Sequence, residues 1–553
     1  MSIDDDKLGR LPEALRPVVS LWFDRLEEAH GSPDLAGDIE DQLLRVVAAS
    51  EFAGNALLRD WDYWKGRLEQ LSSPPDLRGL QEFARDVGSG GASIDEVKSR
   101  LRRFRHRHML NVLWREVAGV AELDETLGAL SALADQMLAA ADRYAGTQLE
   151  ERYGRFRGPG GDVVPLVVLA MGKLGGGELN FSSDIDIVFL YPADGESDGA
   201  RKLSGQQYFT RLSQIIVGLL DDRTADGFVF RVDTRLRPFG DSGPPVTSFA
   251  ALESYLLQHG RDWERYAYIK ARIVGQPPAP AIANELFEHL IMPFVYRRYL
   301  DYGVFESLRD MHELIAAEVK RRELADNVKL GPGGIREIEF IVQSMQLVRG
   351  GHREVLREPS LLSVLPELAG GRGLDGSTVT LLRDAYVFLR RLENFIQAMR
   401  DQQAHDLPGD ETDRERLCVA MNYADWPALM RDLDGHRRNV TREFEAIAFR
   451  QGDIDAQDEG EQRFGALWNS GASAEAWERE FAELEQAGAL AESLAVFQQA
   501  PSTLKIDAIS SERLQRFMPR LISLVVQCDE PVLALDRTLS VINRILRRSA
   551  YVS

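Results

Sequence analysis

Almost everywhere in this chain of 553 residues, apolar side chains return every third or fourth position, and one window breaks that rhythm. "LRPVVSLWFDRLEEA" (15–29), "IEDQLLRVVAASEFAGNALL" (39–58) and "LGALSALADQMLAAADRYA" (127–145) have the period of helices with one buried face. Residues 150–275 instead hold three short runs rich in β-branched and aromatic residues, each bounded by turn formers: "DVVPLVVLAM" (162–171), "DIDIVFLYP" (184–192) and "DGFVFRVDTRLRP" (226–238). A helical segment, "SGQQYFTRLSQIIVGLLDD" (204–222), joins the second run to the third, and the helical period returns over 247–268 and 294–348. The pattern predicts a mainly α chain with one small α/β insert.

A chain of this length holds roughly three to four domains. The expected divisions are an N-terminal helical region (1–150), the α/β core (151–280), a helical domain packing on the core (281–450), a polar acidic linker "QGDIDAQDEGE" (451–461) and a further helical region (462–553). The last residues, "LSVINRILRRSAYVS", stop in mid-pattern, which suggests a fragment of a longer chain. The net charge of −21 disfavours a general nucleic-acid binder and a template-dependent polymerase, both of which need a basic footprint. Cys418 and Cys528 lie far apart with no metal spacing, as expected in a reducing cytoplasm. "MSIDDDKLGR" is no signal peptide, and no run approaches the roughly 18 apolar residues of a membrane span, so the expected location is cytoplasmic with no membrane partner.

The chemistry concentrates in "LAMGKLGGGELNFSSDIDIVFLYP" (169–192). Asp184 and Asp186, two apart on a strand, leave the same face, and their Cβ atoms stand about 5–7 Å apart. Two such carboxylates repel unless a cation lies between them, and a hard divalent ion such as Mg²⁺ suits oxygen ligands. The pair alone fits a solvated strand edge equally well. In "FRVDTRLRPFG" Arg231, Asp233, Arg235 and Arg237 share one parity, which predicts either a third carboxylate among guanidiniums that can grip phosphate oxygens or a surface ion-pair ladder, though a ladder does not explain the bounding glycines and prolines. Gly172, Gly175, Gly176 and Gly177 would let backbone N–H groups approach a phosphate, with Ser182 and Ser183 adding hydroxyl donors. "KLGPGGIREIEFIVQ" (329–343) opens a second helix after a flexible turn, where Gly333 and Gly334, with Lys329 and Arg336 nearby, could meet an anion or could equally mark a ligand-free helix start.

A glycine-rich turn, Asp-x-Asp and an Asp on the next strand resemble the DNA polymerase β-type nucleotidyltransferases. With "GGGELNFSSDID", "GRDWERYAYIKAR" (260–272), "KLGPGGIREIEFIVQ" and "FLRRLENFIQ" (388–397), nearly the whole chain resembles the N-terminal, adenylyl-removing half of the bacterial bifunctional glutamine synthetase adenylyltransferase/adenylyl-removing enzymes. The transferring half of that family carries a bulky residue at the position of Gly177 and Leu at that of Ile185. The resemblance implies a nucleotidyltransferase core flanked by helical domains, with residues 462–553 as part of a connecting region. It makes Asp184, Asp186 and Asp233 catalytic Mg²⁺ ligands, and Gly175, Gly176, Ser182 and Ser183 the lining of the AMP phosphate. Arg235 and Arg237, with Lys270 and Arg272, would hold phosphates. The implied reaction is phosphorolysis of AMP from a tyrosine of adenylylated glutamine synthetase, giving ADP, with a uridylylated PII signalling protein as partner. Two other readings are ATP-dependent adenylylation of the same substrate and a regulatory binding module with an inactive site. The basic cluster "RRFRHRHM" (102–109) reads as a solvated helix face, and Trp114 and Trp263 read as core residues.

Overall fold

The computed structural model describes residues 5–297 and 324–546, apart from short breaks at 33–34, 36, 90, 371–372, 457–458, 483, 485, 501–502, 504–507, 527 and 529. Residues 298–323, for which helical period was read, lie outside the described residues. The chain divides into two compact units, Met1–Phe444 and Glu445–Ser553.

In the first unit, α1 (Ile94–Val117) opens with a reciprocal cap between Ser93 and Glu96, which satisfies two helix-end donors. Helix α2 (Leu123–Tyr153) buries Leu130, Leu133, Ala134, Met137 and Ala141, which share one helix face. The sheet comprises β1 (Val167–Ala170), β2 (Ile185–Tyr191), β3 (Val232–Asp233), β4 (Val246–Ser248) and β5 (Arg272–Val274). Strands β1 and β2 pair antiparallel, Val167 facing Leu190 and Ala170 facing Ile187. β5 runs antiparallel along the other edge of β1, while β3 and β4 both run parallel to β2. Burial on both faces explains why β1 and β2 read as continuous apolar runs.

Between β1 and β2 comes a single helical turn, α3 (Gly172–Gly175), and between β2 and β3 comes α4 (Gly205–Asp221), capped by Ser204 and Gln207. Helices α5 (Phe249–His259) and α6 (Asp262–Tyr268) join Val167, Leu169, Val188 and Leu190 in one buried cluster with Phe249, Leu252 and Tyr268. Among the helices that follow along the chain are α7 (Ile335–Arg349), α8 (Gly376–Ala398) and α9 (Trp426–Ala456). Helix α8 buries polar residues, Arg390, Glu393, Asn394 and Gln397, and these meet the turn between β1 and β2.

Several expectations need correcting. Of residues 226–238, only Val232 and Asp233 are strand, because the chain turns out of the sheet at Thr234. Strands β4 and β5 went unread: three residues each, beside helices, are too short to show a period. The stretch read as a linker is helical at 451–456 and again at 459–461. The basic cluster is no solvated face, since Arg102 and Arg105 are fully buried. Arg102 caps the end of α4 through the carbonyl of Leu219 and also binds that of Gly227. Trp114 is core as expected, whereas Trp263 is 44% exposed. The second unit builds its own core from Trp468, Trp477, Phe481, Leu494, Met518 and Ile522.

Gly175 shows how tightly the turn is set. A methyl group there would overlap the Lys270 carbonyl, which is backbone and cannot rotate away. Gly175→Ala is therefore expected to lower stability by about 3 kcal/mol, within the range of overpacking and backbone-strain substitutions. Urea unfolding checks this; an unchanged midpoint would mean that the Lys270 segment yields.

Candidate active site

The parallel pairing of β2 with β3 sets Asp186 directly beside Asp233. Asp184 precedes β2 by one residue, so all three aspartates lie toward one end of the sheet, and the charges of Asp233 and Asp184 both act on Asp186. The backbone fixes this arrangement: Ile185 N–H donates to Arg231 O (2.9 Å) and Met171 N–H to Asp186 O (2.8 Å). Gly172 has φ +55°, and a Cβ there would lie 2.6 Å from Asp186 Oδ2. The glycine that makes room for the acid is thus Gly172, at the head of α3.

The outer acids are held by cations and an amide. Arg231 Nε donates to Asp184 Oδ1 at 2.6 Å, and Gln403 Nε2 donates to Asp184 Oδ2 at 2.9 Å. Arg235 grips Asp233 through Nε and Nη2 (2.9 and 2.5 Å to Oδ2), and its backbone N–H donates to Oδ1. The Arg235 hydrogen bond lowers the Asp233 pKa below the usual carboxylate value. Asp186 behaves differently. Burial, then the Asp233 charge, push its pKa up to about 6; Asp184 adds to this, while Lys329 and Arg235 oppose it. The Lys329 charge, from the glycine-rich turn downstream, lowers the Asp186 pKa and so partly opposes its burial.

Other predicted residues support the site without facing it. Lys270 is buried between Glu339 (3.0 Å) and Glu178 (3.4 Å), so it is committed to an internal ion pair rather than to a phosphate. Arg272 binds both oxygens of Asp135 and donates to the carbonyls of Leu174 and Gly175, clamping the end of α3. Arg237 folds back onto Thr234 and Gly243, because the strand that would have aligned it with Arg235 has ended. Gly175 and Gly176 are buried against the backbone carbonyls of Lys270 and Pro359. Gly333 lies against Arg437 backbone and Gly334 against the carbonyls of its own loop, so close packing accounts for both. Ser182 is buried, its backbone N–H donating to Gln397 and its hydroxyl lying 3.3 Å from Arg231; Ser183 is buried beside it.

The sequence gives no sign of Gln403, and "FLRRLENFIQ" enters the resemblance without any role assigned to the polar face of α8. Arg390 Nε donates to Asn180 Oδ1 (3.1 Å), and Arg390 also binds the Glu178 carbonyl and the Tyr386 hydroxyl. Glu393 accepts from Lys173 on both oxygens (2.9 Å each) and from Asn180. Asn394 accepts from Phe181 N–H (2.8 Å). The only sequence signal was charged residues on the inward face of an otherwise apolar helix, in "FLRRLENFIQ".

Residues 40–286 match the family described as Glutamate-ammonia ligase adenylyltransferase, and residues 309–448 match that described as GlnD PII-uridylyltransferase. The chain is 41% identical over 567 residues to the bifunctional glutamine synthetase adenylyltransferase/adenylyl-removing enzyme of Thioalkalivibrio sulfidiphilus, and 41% identical over 572 residues to that of Pseudomonas aeruginosa. Each alignment covers 99% of this chain and 57% of the relative. The chain is similar to these two-activity enzymes and spans little more than half their length. The comparisons reach the enzyme as a whole and do not single out its N-terminal half.

Carboxylate oxygens are the hard donors that suit a divalent cation, and Asp186 carries its charge at a cost. Among the described residues, however, no three acidic, histidine or cysteine side chains are drawn together as a finished ligand set. Arg231 and Arg235 occupy the outer acids instead. Also among the described residues, no helix is long and apolar enough to cross a membrane.

Because folding raises the Asp186 pKa, the folded chain binds the extra proton between the ordinary carboxylate value and about 6. Stability from this group is present at low pH and falls as pH rises through that window. In metal-free buffer, Asp186→Asn should raise stability at pH 8 by about 3 kcal/mol and leave it nearly unchanged at pH 4. Thermal unfolding at both pH values checks this; equal gains at the two would remove the charge explanation.

Proposed function

We propose that this chain removes AMP from an adenylylated tyrosine of glutamine synthetase by Mg²⁺-dependent phosphorolysis, as the adenylyl-removing half of a longer enzyme with a polymerase β-type nucleotidyltransferase core. The observation that carries this reading is the in-register pair Asp186 and Asp233, joined by Asp184 and bordered by Arg231, Arg235 and Lys329. The names of the relatives supply the substrate, and Gly177 and Ile185 favour the removing over the transferring activity.

Asp184, Asp186 and Asp233 would hold the metal, which when bound supplies charge neutralisation for the two phosphates. An oxygen of inorganic phosphate forms a bond to the phosphorus of AMP, the bond from that phosphorus to the tyrosine oxygen breaks, and the phenolate takes up a proton. The products are ADP and unmodified glutamine synthetase. Two anions must approach for this to happen, so the protein's task is positioning and electrostatic screening. Arg235 is solvent-exposed and hinged at the mouth of the turn, so its guanidinium is able to pass from Asp233 to a phosphate oxygen. Lys329 adds positive charge beside Asp186, and Arg231 stays with Asp184. A uridylylated PII protein is the proposed regulatory partner, in keeping with the match over 309–448, and the cytoplasm the proposed location.

The second reading, ATP-dependent adenylylation, draws on the family description matched by residues 40–286. Mixing the chain with adenylylated glutamine synthetase, Mg²⁺ and phosphate separates the two. Phosphate-dependent ADP that falls at least a thousandfold in Asp186→Asn is the expected result. Label moving from ATP onto unmodified glutamine synthetase, with no ADP from phosphate, would establish the second reading instead.

A further inference from the structure

The loop that leaves helix α8 is bound on both sides of Gln403 to separate parts of the fold. Before it, Asp401 adopts a left-handed backbone (φ +52°), unfavourable for a residue other than glycine. Its carboxylate takes two hydrogen bonds from the buried Arg105 of α1 (2.7 and 2.9 Å). After it, His405 Nδ1 lies 2.8 Å from Glu393, and the His405 carbonyl accepts from Val328 N–H at 2.8 Å. Asp406 accepts from Asn327, whose own side-chain oxygen caps the turn carrying Lys329. Gln403 thus emerges from a short loop anchored at both ends, with its side-chain amide on Asp184.

We propose that Gln403 is a positioning residue of the acid site, fixing Asp184 in the orientation that a divalent cation requires. Arg231 and Gln403 each take one oxygen of Asp184. Each carboxylate oxygen has a second lone-pair direction, so both stay able to face a cation. A neutral amide suits this second position. A further guanidinium or ammonium would compete with the metal for the same charge, whereas an amide orients the carboxylate and leaves its charge in place. The strained Asp401 backbone fits this role, because the strain is held by Arg105 and delivers the amide pre-oriented. The proposal rests on the reading of the three acids as a cation site.

Gln403 is exposed, so replacing it leaves the core intact. The test is Mn²⁺ binding followed by the electron paramagnetic resonance signal of free Mn²⁺, on the whole chain without substrate. Gln403→Met keeps the length of the side chain and removes its donor; Asp184→Asn removes the ligand; Gln402→Ala is the neighbouring control. The expected result is Mn²⁺ binding at least tenfold weaker in Gln403→Met than in wild type, with Gln402→Ala and the unfolding midpoints unchanged. Binding within twofold of wild type in Gln403→Met, together with weak binding in Asp184→Asn, overturns the role of Gln403 and leaves the cation site standing. Wild type binding no better than Asp184→Asn overturns both.

Discussion

Arg390 and Glu393, one turn apart on helix α8, are opposite charges with no access to water, and the active end of the sheet hangs on them. Between them they bind Asn180, Lys173, the Glu178 carbonyl and the Tyr386 hydroxyl. Buried charges cost several kcal/mol each unless nearly all their hydrogen-bonding capacity is met, so the turn from Lys173 to Asn180 has little freedom to adopt another path. That constraint sets where β2 begins, and β2 carries Asp186. Burial works against the Glu393 charge, yet Lys173, the hydrogen bond from His405 and Arg390 hold its pKa well below the ordinary value.

The acid cluster shows the opposite economy. Parallel pairing of β2 with β3 forces two carboxylates into register, and the fold accommodates the repulsion by unequal means. Asp233 and Asp184 are satisfied by guanidiniums, and Asp186 is left with its pKa raised to about 6. A site meant only for stability would have an apolar pair at this register. Here instead Arg231 and Arg235 pair with Asp184 and Asp233, and Asp186 keeps a raised pKa, a perturbation of the kind found at functional sites.

Much of this was legible in the chain. The helical period, the two apolar strand runs and the placing of Asp186 and Asp233 on strands follow from local pattern. The glycines misled in their detail. Local sequence says that a glycine is needed, but whether it admits a phosphate or a neighbouring carbonyl depends on what packs there: Lys270 O against Gly175, Arg437 backbone against Gly333 and the Asp186 carboxylate against Gly172. The arginine face failed for a similar reason. Parity predicts a shared face only while the strand lasts, and β3 lasts two residues.

What the sequence determined by itself was the chemistry available: hard carboxylates on a strand, guanidiniums beyond them, and helices on either side. Periodicity and residue type are local properties, and they survive without knowledge of the fold. Tertiary structure alone decided the pairing of Asp186 with Asp233, the commitment of Lys270 and Arg272 to internal acids, and the arrival of Gln403 at Asp184 from more than 200 positions away. Those outcomes depend on which distant charges are desolvated together. That is a property of packing, and no short stretch of sequence contains it.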